Sequence, residues 1–128
     1  ACKNCRESVT PSARVLDSIQ SRPDFSETIA VLQRQGVLRK AHDGLAGVRL
    51  YKGKGCAQCQ GSGFIGRVGL FEIFEVDEDI RDLIMQRKPA SFIRSTAIMK
   101  GMKTMFQDGL AKAFMGETTI EEVFRVAL

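Results

Sequence analysis

Apolar positions in this chain fall mostly into short helical stripes, punctuated by glycine and proline. Val15, Leu16 and Ile19 line one face of a short helix. Thr10-Pro11 reads as its N-cap followed by a proline at the first helical position, and the helix ends before Pro23. Ile29, Val31 and Leu32 predict a second helix over residues 26–35, with Gly36 placed to close it. His42 to Gly47 reads as a loop, and residues 48–52 alternate as a strand does. Residues 64–76 break the helical pattern. They are rich in β-branched and aromatic side chains, among them Val68, Ile73 and Phe74, and predict a strand or hairpin. Four helices are expected after that. Asp77 caps one with Ile80, Leu83 and Ile84 inward, and Pro89 opens the next, which carries Ile93 and Ala97 and ends at Gly101. A third covers residues 104–115 with Leu110, Ala113 and Phe114 inward. The last starts at Thr119, where Thr119-Ile120-Glu121-Glu122 has the form of a capping box.

This pattern predicts an α+β chain. A Cys-pinned unit with a short β-hairpin or sheet and inserted short helices covers residues 1–76, and a small helical bundle covers 77–128. No repeat at solenoid spacing is present. With 128 residues, 44% of them apolar and 27% charged, the chain is long enough for a real core and has the composition of a globular protein. The formal charge of +4 is spread thinly. Its densest clusters, Arg39-Lys40 and Lys52 to Lys54, are too short for a nucleic-acid footprint and read as solvated surface. No stretch approaches the ~20 apolar residues of a membrane span, and no apolar signal segment is present. Ala1 in place of an initiator Met, one residue before a candidate metal ligand, points to a piece of a longer protein.

The four cysteines change the picture most. Cys2 and Cys5 form one CxxC pair, Cys56 and Cys59 a second, and 50 residues lie between the pairs. A CxxC turn brings two thiolates to one metal, and two such turns complete a tetrahedral four-thiolate zinc site with no open position, hence structural. The second pair stands in Cys56-Ala57-Gln58-Cys59-Gln60-Gly61-Ser62-Gly63, a CxxCxGxG knuckle whose glycines permit tight reversal. Disulfides and redox chemistry are the rival assignments. The first lacks a secretory context, and the second lacks the strand-to-helix setting of a redox CxxC.

Other motifs carry less. Gly61-Ser62-Gly63-Phe64-Ile65-Gly66 matches G-x-G-x-x-G, but a cysteine knuckle precedes it and a predicted strand follows it, which is the wrong setting for a dinucleotide. No P-loop occurs, and no nucleophile has an obvious base, so the chain by itself carries no catalytic motif. His42, the one histidine, reads as a surface residue, and Met85, Met99, Met102, Met105 and Met115 read as core filler. Arg67 and Glu72, in the glycine-flanked Gly66-Arg67-Val68-Gly69-Leu70-Phe71-Glu72, are spaced for a mutual ion pair or for contact with another subunit, and form a candidate interface.

Taken in order, these motifs resemble a known family. The two cysteine pairs are followed by Gly63-Phe64-Ile65-Gly66-Arg67-Val68-Gly69-Leu70-Phe71-Glu72 and by Val76-Asp77-Glu78-Asp79-Ile80-Arg81-Asp82-Leu83-Ile84. Then come Gly101-Met102-Lys103-Thr104-Met105-Phe106-Gln107-Asp108-Gly109-Leu110 and Gly116-Glu117-Thr118-Thr119-Ile120-Glu121-Glu122-Val123. The series resembles the C-terminal part of the bacterial traffic ATPases of type II secretion and type IV pilus assembly. The resemblance implies a non-catalytic structural and interaction module with structural zinc on Cys2, Cys5, Cys56 and Cys59. It also implies a hexameric cytoplasmic parent at the inner membrane, whose ATP and Mg²⁺ bind upstream of this chain. The implied partners are the ATPase core of the same polypeptide, neighbouring subunits and an inner-membrane platform protein. With the main subunit contacts upstream, the isolated chain is expected to be monomeric. Two other functions fit parts of the sequence: a zinc-ribbon nucleic-acid-binding module, and a DnaJ-like zinc chaperone module suggested by CxxCxGxG.

Overall fold

A computed structural model describes residues 1–39, 45 and 47–127. Lys40, His42, Asp43 and Gly44 lie outside them, and with them the expected surface histidine and most of the expected loop. The described elements run β1 (Arg6–Val9), α1 (Ala13–Gln20), α2 (Phe25–Arg34), β2 (Leu50–Gly53), α3 (Glu78–Met85), α4 (Ala90–Met99), α5 (Met105–Phe114) and α6 (Ile120–Ala127).

Helix ends follow local chemistry. Ser12 rather than Thr10 caps α1, accepting from the Val15 N–H, so the helix opens two residues later than the Thr10-Pro11 pair predicts. Asp77 caps α3 as expected, through the Ile80 N–H. The full capping box belongs to α5, where Thr104 and Gln107 exchange both bonds. At α6, Thr119 accepts from the Glu122 N–H, while the Glu122 carboxylate turns to Arg125. Helix α2 closes as predicted. Gly36 N–H donates to the Gln33 carbonyl and Val37 N–H to Leu32, with Gly36 left-handed at φ +71.

The sheet is only partly where the sequence places it: β2 overlaps the strand expected over residues 48–52, but its partner is not the 64–76 segment. Residues 64–76 form no strand. The two-stranded antiparallel sheet is β1–β2, with Arg6 opposite Gly53 and Val9 opposite Leu50. A strand requires a neighbour to take its backbone groups, and the 64–76 segment, bent at Gly66 (φ +68), has none among the described residues. It runs instead as a strap over α5. Phe71 N–H donates to Asp108, and Lys112 donates to the Gly69 carbonyl. Leu70 reaches Gly109 of α5, where an added methyl would stand 3.1 Å from it and 2.8 Å from Val123 of α6. The absent side chain is what lets strap, α5 and α6 meet.

The main core joins Ile19, Leu32 and Leu50 to Phe106, Leu110, Ile120 and Val123, so it draws on residues from both sides of position 76. Arg22 lies 3.9 Å over the Phe106 ring while pairing with Asp24. Ile80, Ala97 and Met102 form a second, smaller cluster between α3 and α4. Met102 is the one methionine acting as core filler. Met85 and Met99 are about four-fifths exposed, and Met105, Met115 and the expected inward Ile84 are exposed too. The α3–α4 hairpin has only one face to bury, so its Ile84, Met85 and Met99 remain outside.

Candidate metal centre

The β1–β2 ladder builds the site. Its register puts Cys5 beside Lys54, whose N–H donates to the Cys5 carbonyl at 3.1 Å, and so delivers the first CxxC to the second across the 50-residue spacer. Two four-residue strands are marginal alone, so cross-links support them. Arg6 stacks on Tyr51 at 5.3 Å and donates to the Gly116 carbonyl at 2.6 Å, tying the sheet to the end of α5. Each CxxC closes as a turn: Arg6 N–H donates to the Cys2 carbonyl, and Gly61 N–H to Cys56. Cys2 N–H donates to the Gly63 carbonyl at 2.8 Å, joining the turns directly.

All four Sγ atoms lie within 4.8 Å of one another. Cys2–Cys56, Cys5–Cys59 and Cys56–Cys59 are separated by 3.9, 3.8 and 3.7 Å. A tetrahedral zinc with bonds of about 2.3 Å requires sulfur edges of about 3.8 Å, so the donor set fits the ion. The cysteines are free thiols, and these separations are far longer than a disulfide bond of about 2.05 Å. Cys2 and Cys59 are buried, and Cys5 and Cys56 are partly covered.

The surroundings treat the thiols differently. Cys56 is pulled down to about 6, chiefly by the Asn4 side-chain amide and then by the Cys59 backbone. Burial pushes Cys59 up, but N–H groups of Cys56 and Gly63 outweigh it and the net direction is down. Desolvation pushes Cys5 up to about 12 against the Gly55 N–H, and the neighbouring thiols add to the rise. A bound divalent cation overrides this spread, because a coordinating thiol is deprotonated outright.

Arg67 and Glu72 do not meet. Glu72 forks onto the Arg94 guanidinium of α4 and accepts from the Met105 N–H at 3.0 Å, fastening the strap to two helices. Arg67 is exposed and has no carboxylate partner among the described residues. Sequence reasoning missed Asn4, which donates to Cys56 Sγ at 3.4 Å from inside the other pair. Only its place within a CxxC turn could have marked it. It also missed the Asp108–Lys112 pair that holds the strap.

With this geometry in hand, comparison with known proteins gives a consistent result. The family model described as "Type II/IV secretion system protein" matches residues 1–125. The type IV pilus assembly ATPase PilB of Thermus thermophilus is 49% identical over 79 residues, which is 62% of this chain and 9% of that protein. The type II secretion system protein HxcR of Pseudomonas aeruginosa is 37% identical over 76 residues, 59% of this chain and 16% of that protein. The type II secretion system protein E of Xanthomonas campestris pv. campestris is 43% identical over 65 residues, 51% of this chain and 12% of that protein. In each case the matched segment is no more than 16% of the relative's length. With the match running from the first cysteine pair to α6, the chain belongs to the Type II/IV secretion system protein family.

Proposed function

We propose that this chain is a non-catalytic structural and interaction module of a hexameric ATPase that powers type II protein secretion or type IV pilus assembly. The observation that carries the proposal is the strap. In residues 64–76, which form no helix or strand, seven large apolar side chains (Phe64, Ile65, Val68, Phe71, Ile73, Phe74 and Val76) are exposed. Apolar patches of this kind on a folded protein mark a surface that another surface covers. Each such side chain contributes about 1.5–3 kcal/mol when fully covered. The ATPase core of the same polypeptide is the covering surface, and Arg67 extends the contact toward a neighbouring subunit.

In this reading Cys2, Cys5, Cys56 and Cys59 hold a structural zinc. Residues 1–76 act as the zinc-bound unit and residues 77–128 as the helical unit. ATP and Mg²⁺ bind upstream, in a cytoplasmic protein held at the inner membrane through its platform partner. None of the described helices is long and apolar enough to cross a membrane. The two halves of the reading separate experimentally. The isolated chain is expected to be monomeric by light scattering and to hydrolyse no ATP. A chimera carrying this chain in place of the matching segment of the Thermus thermophilus relative is expected to hydrolyse ATP, and to lose hydrolysis when Ile73→Ser and Phe74→Ser are introduced. Hydrolysis by the isolated chain, or a chimera indifferent to those substitutions, refutes the proposal.

A further inference from the structure

The two sulfurs of the second cysteine pair differ in where their hydrogen bonds come from. Cys59 Sγ accepts from N–H groups of Cys56 at 3.1 Å and Gly63 at 3.3 Å, both inside its own knuckle. Cys56 Sγ, besides the backbone of its own knuckle, receives a side-chain donor from the opposite pair, Asn4 Nδ2 at 3.4 Å, 52 positions away in the chain. Asn4 stands between Cys2 and Cys5, in the turn Cys2-Lys3-Asn4-Cys5. Gln58 holds the matching position of Cys56-Ala57-Gln58-Cys59. Among the described residues, Asn4 is the one residue whose side-chain nitrogen donates to a cysteine sulfur.

Charge gives this contact its importance. Four thiolates carry four negative charges and Zn²⁺ offsets two, so a closed four-cysteine site keeps surplus charge on its sulfurs. Oriented N–H donors are the means of spreading that charge. A thiolate only accepts, so the Asn4 amide must present its NH₂ to Cys56.

Building on the assignment of the four cysteines as a zinc site, we infer that Asn4 is a zinc-positioning residue. Its amide holds Cys56 of the second knuckle toward the ion from within the first, and couples the two pairs beyond the metal bonds themselves.

The test is zinc affinity of the whole 128-residue chain, measured by competition with a chromophoric chelator, for wild type, Asn4→Ala, Asn4→Asp and Gln58→Ala. Asn4→Ala is expected to weaken zinc binding about tenfold or more, as losing an outer hydrogen-bond partner does at other metal sites. Asn4→Asp, which sets a carboxylate against the thiolate at unchanged size, is expected to weaken it further, and Gln58→Ala to leave it unchanged. The cobalt-substituted Asn4→Ala chain is expected to keep the charge-transfer spectrum of four thiolates, which places the loss outside the ligand set. Wild-type affinity in Asn4→Ala overturns the inference. So does a loss confined to Asn4→Asp, which reports repulsion alone, or an equal loss in Gln58→Ala, which reports general sensitivity of the turns. Failure of Asn4→Ala to fold in saturating zinc also overturns it, because this exposed residue would then serve the fold and not the ion. A wild-type chain that takes up no zinc sinks both the inference and the zinc assignment beneath it.

Discussion

Gly61 and Gly63 form a matched pair for testing how closely the chain packs beneath the cysteines. Both occupy the left-handed region, at φ +79 and +77. A methyl group added at Gly61 meets nothing within 4 Å. One added at Gly63 stands 2.8 Å from the Gly53 carbonyl oxygen and 3.2 Å from the Gly53 Cα. Putting an L side chain in the left-handed region costs about 1–2 kcal/mol, which is the whole expected loss for Gly61→Ala. Gly63→Ala adds overlap with backbone, which cannot swing aside as a side chain can, and overpacking of that kind adds about 1–3 kcal/mol. The expected losses are therefore about 1 kcal/mol at Gly61 and about 3 kcal/mol at Gly63. At about 2.1 cal/mol/K of unfolding entropy per residue, 1 kcal/mol corresponds to about 4 °C in Tm for a chain of 128 residues. Thermal unfolding followed by circular dichroism in zinc-containing buffer should then show drops of about 4 and about 11 °C. A second readout follows from the bonds. Gly63 N–H donates to Cys59 Sγ, whereas Gly61 N–H donates to the Cys56 carbonyl. Gly63→Ala should weaken zinc binding while Gly61→Ala does not. Tm drops that agree within about 2 °C would show that the close approach of the two chain segments is not a constraint.

Three further outcomes are expected. Elemental analysis should find one zinc per chain, and Cys59→Ser should lose it and unfold the N-terminal half. Structural zinc contributes on the order of 10 kcal/mol, comparable to the whole stability of a domain at about 5–15 kcal/mol. An unchanged melting curve for Cys59→Ser contradicts this. Arg87 holds φ +55 after α3, the place that Gly36, Gly101 and Gly116 take after α2, α4 and α5. Arg87→Gly should therefore raise stability by roughly 0.5–1 kcal/mol, and a lower Tm would refute it. The Lys100 ammonium, 2.5 Å away, and the Ile80 N–H hold the Asp77 carboxyl below its ordinary 3.8. With the folded value lower than the unfolded one, this cap contributes fully above the ordinary value and is lost as pH falls through the lowered one. Amide protection in α3 should drop over that acid range in wild type and stay flat in Asp77→Asn; identical profiles would remove the cap from the account.

Much of the site was legible in the sequence because its determinants are local. A CxxC turn sets two sulfurs over one spot whatever surrounds it, and CxxCxGxG marks the tight knuckle, so Cys2, Cys5, Cys56 and Cys59 could be named as one cluster close enough to hold a metal ion. Helix ends are local in the same sense. Asp77 and Gly36 act through bonds spanning no more than five residues, and their positions were readable. The α1 cap was misplaced by two residues because Thr10 and Ser12 are both residue types that cap helices, and the course of the chain chooses between them. The remainder depended on partners far away in sequence. β1 has no alternation of its own and exists because β2 pairs with it. Residues 64–76 carry the β-branched and aromatic side chains of a strand, yet lack a ladder partner among the described residues and become a strap held by Asp108, Lys112 and Arg94. Glu72 could be singled out from the sequence, but its partner, 22 positions away, could not. Periodicity shows which side chains can share a face, whereas burial is decided by what that face meets. Met102 is therefore inside, and Met85 and Met99 of the same hairpin are not.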